Sequence, residues 1–173
     1  TMLDLLKGAG RDVIAVGKIF DIFDGEGVTE KIKTTGNTNG IAFTKALQTR
    51  DFEGLAFVNL VDFDMLYGHR RDVAGYAAAA TEFDKFVADF IPGMREGDIL
   101  MVTADHGCDP SYTKTTDHTR EYVPYLICGK GVKPGVDLGT KLCFGTIAQT
   151  ICDYLGVDAS TLDGKSVLGD ILN

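Results

Sequence analysis

Three short polar segments place carboxylates beside imidazoles, a combination that can bind a divalent metal ion. Two of them directly follow apolar runs, at residues 55–61 and 99–102. The chain has three histidines and all of them lie in these segments, whereas histidines with only a structural role would be more scattered. The sequence therefore predicts a metal centre, with the candidate ligands Asp64, His69, Asp105, His106 and His118.

The number of candidate ligands is enough for two ions. Two divalent ions about 3.5–4 Å apart can clamp a phosphoryl group and stabilise its attacking and leaving oxygens. Asp64, His69 and His118 suit one ion, and Asp105 with His106 suits a second. Mixed carboxylate and imidazole ligands suit manganese, zinc or iron, and they do not exclude magnesium. Because histidine must be neutral to bind, metal affinity should fall as the pH drops below about 6.5.

Each segment taken alone also has a plainer explanation. Asp62 competes with Asp64 as the ligand, unless it caps a turn or hydrogen-bonds a metal ligand. His118 follows Asp117 on a loop that solvent could reach. Cys108 lies in the same region as Asp105 and His106, but an oxygen-rich site does not favour a thiolate. The joint occurrence of the segments beside apolar runs favours the metal centre.

Apolar periodicity indicates which elements position these segments. Apolar residues at helical spacing predict helices, and nearly unbroken apolar runs predict parallel strands buried on both faces. We predict helices over 1–7, 41–49, 72–91 and 144–155, and strands over 12–17, 55–61, 99–102 and 123–128. This alternation predicts an α/β fold, a doubly wound and mostly parallel sheet with helices on both faces. Both acidic loops would then open at the carboxyl edge of the sheet, where such folds bind ligands.

Two further features are candidates for contact with a substrate. Lys18 follows the first predicted strand, where it could meet a phosphate as a point charge or lie in solvent. The polar residues 34–40 could hold an anion at the amino end of the helix over 41–49. Capping of that helix explains these residues at least as well.

Composition restricts the class of protein. A chain of 173 residues, 45% hydrophobic and 24% charged, is typical of one folded domain. The net charge of −8 argues against nucleic-acid or anionic-membrane partners, but permits a phosphorylated substrate beside bound cations. The sequence shows neither an apolar run of about 20 residues nor a secretory signal, and its four cysteines lack CxxC spacing. We therefore expect a cytoplasmic protein with reduced thiols.

Three motifs carry a resemblance to a known family. Residues 61–72 are Val-Asp-Phe-Asp-Met-Leu-Tyr-Gly-His-Arg-Arg-Asp, residues 103–107 are Thr-Ala-Asp-His-Gly, and residues 116–124 are Thr-Asp-His-Thr-Arg-Glu-Tyr-Val-Pro. They closely resemble the phosphopentomutase family, which belongs to the alkaline phosphatase superfamily. The first motif differs from that of cofactor-independent phosphoglycerate mutases, whose related run is one residue shorter. The resemblance covers residues 1–173, as the carboxyl-terminal part of the family's core domain.

The resemblance implies a function and a set of roles. The family interconverts ribose or deoxyribose 1-phosphate and 5-phosphate through a phosphothreonine enzyme, and its metals spread the charge of the phosphoryl group. Lys18 would lie in the substrate pocket. Two manganese ions are implied, one bound by Asp64, His69 and His118 and the other by Asp105 and His106.

The resemblance also implies parts that no segment of this sequence matches. These are the family's phosphorylated threonine and one metal-ligand aspartate, both near its amino terminus, and an inserted cap domain. We expect the remainder of the same polypeptide to supply them, and the isolated chain to be inactive. Cys108 stands where a polar residue such as Asn is expected. The alternatives are another enzyme of the superfamily (a phosphatase or a phosphoglycerate mutase) and a non-catalytic metal-binding domain.

Overall fold

The computed structural model describes residues 1–172. The chain forms two compact units. Unit 1 contains Thr1–Lys33, Arg50–Val58 and the chain from Gly131 onward, and unit 2 contains Thr34–Thr49 and Asn59–Lys130. The helices are α1 Met2–Gly8, α2 Ile19–Ile22, α3 Asn37–Leu47, α4 Val73–Phe90, α5 Gly145–Tyr154 and α6 Leu168–Ile171. The strands are β1 Asp12–Val16, β2 Glu30–Ile32, β3 Gly54–Val58, β4 Ile99–Thr103 and β5 Tyr125–Gly129. A π-helical segment, Phe63–Gly68, and a 3₁₀ turn, Ile91–Gly93, complete the elements.

Unit 1 is built on a parallel three-stranded sheet with β1 in the middle, in the order β2-β1-β3. Ile14 of β1 pairs with Glu30 of β2 and with Ala56 of β3. Residues 13–16 are fully buried, as an apolar strand covered on both faces requires. Helices α1 and α2 pack against β1, and α1 also contacts α5. This arrangement confirms the α/β class. The core of unit 1 is formed by Leu3, Leu6, Val13, Ala15, Ile19, Val28, Cys152 and Ala159.

Unit 2 contains an antiparallel pair, β4 and β5, which form a two-stranded sheet of their own. Thr103 at the end of β4 pairs with Tyr125 at the start of β5. The long loop between them, residues 104–124, therefore leaves and re-enters the pair at the same end. An isolated antiparallel β-bridge joins Gly107 and Thr119 within this loop. The topology thus brings distant parts of one loop together.

The two largest departures from the predicted boundaries have physical reasons. Helix α3 begins at Asn37 rather than at residue 41, because Asp62 caps it from far along the chain. The Asp62 carboxylate accepts a hydrogen bond of 2.7 Å from the Asn37 backbone N–H, and the Asn37 side chain accepts one of 3.0 Å from the Asp62 N–H. Strand β3 ends at Val58 rather than at residue 61, and the π-helical segment follows it. No helix within residues 1–172 is long and apolar enough to cross a membrane.

Candidate metal centre

The π-helical segment positions Asp64 and His69. The His69 backbone N–H donates to the Asp64 carbonyl at 3.0 Å, which is the five-residue hydrogen bond of a π-helix. Phe63 anchors the segment against α4, where its ring meets those of Tyr76 and Phe83 edge-on, at centroid distances of 5.3 and 6.5 Å. The wide turn places the His69 Nε2 atom 3.2 Å from the Asp64 Oδ1 atom.

The loop of residues 104–124 supplies the other two imidazoles. The Thr119 N–H donates to the Gly107 carbonyl at 3.0 Å, which holds the residues beside His106 and His118 together. The two rings are stacked, with centroids 3.6 Å apart and planes inclined by 19°. The His118 ring also lies 4.9 Å from that of His69. All three histidines of the chain therefore meet in one cluster.

The cluster is organised around one oxygen atom. The His118 Nε2 atom lies 3.5 Å from Asp64 Oδ1, which also faces His69 Nε2. Asp64, His106 and His118 each present a ligand atom within 4.8 Å of the other two. The Asp64 Oδ1 atom is buried, and it has no hydrogen-bond partner among the described residues. A buried carboxylate oxygen without a partner is costly unless a cation satisfies it.

Backbone carbonyls set the orientation of two of the imidazoles. His69 Nδ1 lies 2.5 Å from the Thr116 carbonyl oxygen, and His106 Nδ1 lies 3.1 Å from that of Gly107. A carbonyl can only accept, so these contacts place the proton on Nδ1 and leave the lone pair on Nε2. The Nε2 lone pair of His69 then faces the negative Asp64 Oδ1, an arrangement that a divalent cation would stabilise. The donor set therefore fits a metal ion.

Asp105 is placed at the margin of this cluster. Its side chain is 78% exposed, and its Oδ2 atom lies 3.7 Å from His106 Nε2. The structure brings Asp64, His69, His106 and His118 together and leaves Asp105 beside His106. The division of the five residues between two ions stays a prediction.

The structure also bears on the alternatives left open by the sequence. The Asp62 carboxylate caps α3, so Asp64 is the better candidate ligand of the two. Burial, followed by the negative charge of Asp64, raises the pKa of the Cys108 thiol, whose sulfur packs against Gly68. A neutral thiol suits packing rather than metal binding.

Lys18 lies in unit 1 between β1 and α2, and its contact with a substrate stays a prediction.

One contributor to the site was not visible in the side-chain pattern. The Thr116 carbonyl orients His69, and any residue could supply a carbonyl at that position. The only sequence signal for this carbonyl is that residue 116 lies two positions before His118.

A chain that combines an α/β unit with a cluster of imidazoles and a buried carboxylate has the pattern of a metal-dependent enzyme core, and sequence comparison gives the same class. The profile of the Metalloenzyme superfamily matches residues 6–159, and the chain belongs to this superfamily. Within it, the chain is similar to phosphopentomutases. It is 52% identical over 172 residues to those of Acetivibrio thermocellus and Lachnoclostridium phytofermentans, and 50% identical over 171 residues to that of Anaeromyxobacter sp. strain K. Each alignment covers 99% of this chain, which spans 43–44% of the length of these relatives.

Proposed function

We propose that this chain forms the metal-binding part of a phosphopentomutase, an isomerase that interconverts pentose 1-phosphates and 5-phosphates. The observation that supports it most strongly is the buried Asp64 Oδ1 atom, which has no hydrogen-bond partner within residues 1–172 and faces imidazole Nε2 atoms. The similarity to phosphopentomutases over 99% of the chain gives the reaction class. The buried carboxylate oxygen and the imidazoles favour a bound cation, and the similarity to phosphopentomutases favours phosphoryl transfer as the reaction.

Each candidate residue has a role in this proposal. Bound divalent ions, for which we propose manganese, would stabilise negative charge on the phosphoryl oxygens. Asp64 supplies the charge that attracts the cations, and the carbonyls of Thr116 and Gly107 keep His69 and His106 in the tautomer that can bind metal. Lys18 is proposed to meet the substrate phosphate. The proposed division of ligands is Asp64, His69 and His118 for one ion, and Asp105 and His106 for the other.

Parts of the proposal lie outside the described site. We infer that the phosphorylated threonine and a further aspartate ligand belong to the remainder of the polypeptide, since no segment here matches them. The isolated chain is accordingly expected to bind metal but not to turn over ribose 1-phosphate. We also propose a cytoplasmic location, in keeping with its free cysteines.

The test is the substitution Asp64→Asn, which keeps the shape of the side chain and removes its charge. We expect Mn²⁺ to raise the melting temperature of the wild-type chain, because a ligand that binds only the folded state stabilises it. In D64N we expect the affinity for Mn²⁺ to fall at least about tenfold, and the rise in melting temperature to disappear. Asp89→Asn is the matched control, because Asp89 is 72% exposed and pairs with Lys45 away from the cluster. Its Mn²⁺ response should equal that of the wild type.

Activity is measured on the complete product of the gene that encodes this chain. We expect conversion of ribose 1-phosphate to ribose 5-phosphate that D64N abolishes. Release of inorganic phosphate without isomerisation would identify a phosphatase instead, and Mn²⁺ binding without turnover would identify a non-catalytic metal-binding domain. Turnover by the 173-residue chain alone would show that its nucleophile lies within it. A wild-type melting temperature unmoved by Mn²⁺ would overturn the metal centre.

A further inference from the structure

Arg71, two residues after His69, makes an unusual set of contacts. Its half-buried guanidinium donates to four different backbone carbonyls. The acceptors are Gly68 at 3.1 Å, Asp109 at 3.0 Å, Thr115 at 2.8 Å from Nε and 2.5 Å from Nη2, and Asp117 at 2.5 Å. All of these acceptors are backbone carbonyls, so these hydrogen bonds hold the polypeptide backbone around the guanidinium.

The backbone of Arg71 is itself held in an uncommon conformation. Its φ angle of 56° lies in the left-handed region, which a non-glycine residue rarely adopts. Such a conformation persists only where surrounding contacts hold it. Here the contacts are those of the guanidinium and a hydrogen bond of 3.1 Å from the Arg71 N–H to the Gly68 carbonyl.

The guanidinium contacts bear directly on two candidate ligands. Arg71 holds the carbonyls of Thr115 and Asp117, and His69 Nδ1 contacts the carbonyl of Thr116 between them. Arg71 and His69 therefore hold the backbone carbonyls of three consecutive residues, 115–117. The next residue is His118, whose Nε2 atom lies 3.5 Å from Asp64 Oδ1. A shift of residues 115–117 would therefore remove the partner of His69 Nδ1 and move the backbone next to His118.

We propose that Arg71 is a positioning residue of the metal centre, which fixes residues 115–117 so that Thr116 orients His69 and His118 reaches Asp64. This inference rests on the proposed metal-binding function. Arginine suits the role because its planar guanidinium has five fixed N–H donors that point in several directions. Lysine has three donors on a single nitrogen. It therefore cannot donate to four carbonyls that lie around the edge of the guanidinium plane.

The experiment compares Arg71→Lys with Arg70→Lys in the 173-residue chain. Arg70 is the matched control, because it is exposed and its Nε atom makes a contact of 3.3 Å with the Met65 carbonyl. Titration with Mn²⁺, followed by the electron paramagnetic resonance signal of the free ion, gives the dissociation constant. We expect R71K to weaken Mn²⁺ binding by about 10–100-fold, the usual effect of losing a group that orients a ligand, and R70K to change it less than about twofold.

A second measurement needs no metal. Nitrogen-15 NMR of the histidine rings should show the Nδ1-protonated tautomer of His69 in the wild type and in R70K, and a mixture of tautomers in R71K. A lower melting temperature of R71K with an unchanged dissociation constant and unchanged His69 signals would reduce Arg71 to a stabiliser of the fold and overturn the proposal. If the wild type fails to bind Mn²⁺, the proposed function fails, while the His69 signals still decide the role of Arg71.

A third measurement covers the case in which R71K does not fold. In the wild-type chain the Arg71 Nε–H, held by the Thr115 carbonyl, should exchange with solvent at least about tenfold more slowly than the Arg70 Nε–H. Equal exchange rates for the two side chains would overturn the proposal.

Discussion

At the scale of single residues, Gly68 determines how closely the π-helical segment approaches the loop that carries His106. A Cβ atom on Gly68 would lie 2.5 Å from the Cys108 sulfur and 2.9 Å from the Phe63 carbonyl oxygen. Both distances are too short for real contacts. The close approach of the two segments therefore requires glycine at this position.

We predict that Gly68→Ala lowers the free energy of unfolding by about 1–3 kcal/mol, because the added methyl group overpacks the contact with Cys108. Urea denaturation followed by circular dichroism measures the change. The control is Gly8→Ala at the end of α1, where a Cβ would meet nothing within 4 Å. That variant should be as stable as the wild type or more stable by up to about 1 kcal/mol. Equal effects of both substitutions would contradict the role assigned to Gly68.

The sequence predicted the ligand types at the residue scale but not their supports. Aspartate and histidine side chains have recognisable chemistry, so residue type and spacing were enough to nominate Asp64, His69, Asp105, His106 and His118 as candidates, although they left Asp62 open beside Asp64. The orientation of His69 depends on a carbonyl, and carbonyls are the same at every position. The four acceptors of Arg71 are invisible in the sequence for the same reason.

At the scale of elements, the cap of α3 shows how a distant residue sets a helix boundary. The Asp62 carboxylate replaces the missing acceptor at the amino end of α3, since Gly36 at the cap position has no side chain. A prediction based on neighbouring residues could not include Asp62, which is 25 positions away from Asn37.

We predict that Asp62→Ala destabilises the chain by about 0.5–2 kcal/mol, the usual cost of removing a helix cap. Asp62→Asn keeps one side-chain oxygen as an acceptor and should retain most of the stability. The free energy of unfolding in urea distinguishes them. If the alanine and asparagine variants are equally destabilised, the charge of Asp62 matters rather than its hydrogen bond to α3.

Helix α4 was predictable to within a residue, in contrast to α3, because its signals are local. Its apolar residues follow helical spacing, and the Asp72 side chain accepts from the Gly75 N–H at 2.8 Å, three residues away. The π-helical segment had no such signal. Its five-residue hydrogen bond depends on packing of Phe63 against α4, which sequence spacing does not show.

At the scale of the whole molecule, the strands β1 and β3 of unit 1 were predictable from their apolar runs, and β1 is buried on both faces from Val13 to Val16, whereas β2 was not predicted. The antiparallel pairing of β4 and β5 in a sheet of their own was not predicted from the sequence. Parallel neighbours require a long crossover, which is usually a helix, whereas antiparallel neighbours can be joined by a loop. Residues 104–124 contain no helix, and this absence is the signal that indicates antiparallel pairing.

The stability of unit 1 should depend on pH through Glu30 of β2. Hydrogen bonds from the Arg50 guanidinium, one of them 2.7 Å long, lower the pKa of Glu30 below its ordinary value of 4.5. A carboxyl group with a lowered pKa in the folded state stabilises that state above its ordinary pKa, and this contribution disappears as the pH falls through the folded-state pKa. The pair is partly exposed, so solvent screening keeps the contribution small.

We therefore predict that Glu30→Gln lowers the free energy of unfolding slightly at neutral pH and has no effect in acid below both pKa values. Urea denaturation of both proteins at several pH values tests this. A difference that stays constant down to acid pH would mean that the amide of the variant packs poorly, and that the charge of Glu30 is not the cause.

Among the described candidate ligands, the three imidazoles of His69, His106 and His118 outnumber the two carboxylates of Asp64 and Asp105. For such nitrogen donors the inherent binding order places manganese below iron, cobalt, nickel, copper and zinc. Ligand strength alone would therefore fill this centre with zinc or copper wherever those ions are free. Occupancy by manganese would reflect the supply of metals in the cell, and the ion found after purification would report the composition of the growth medium and buffers.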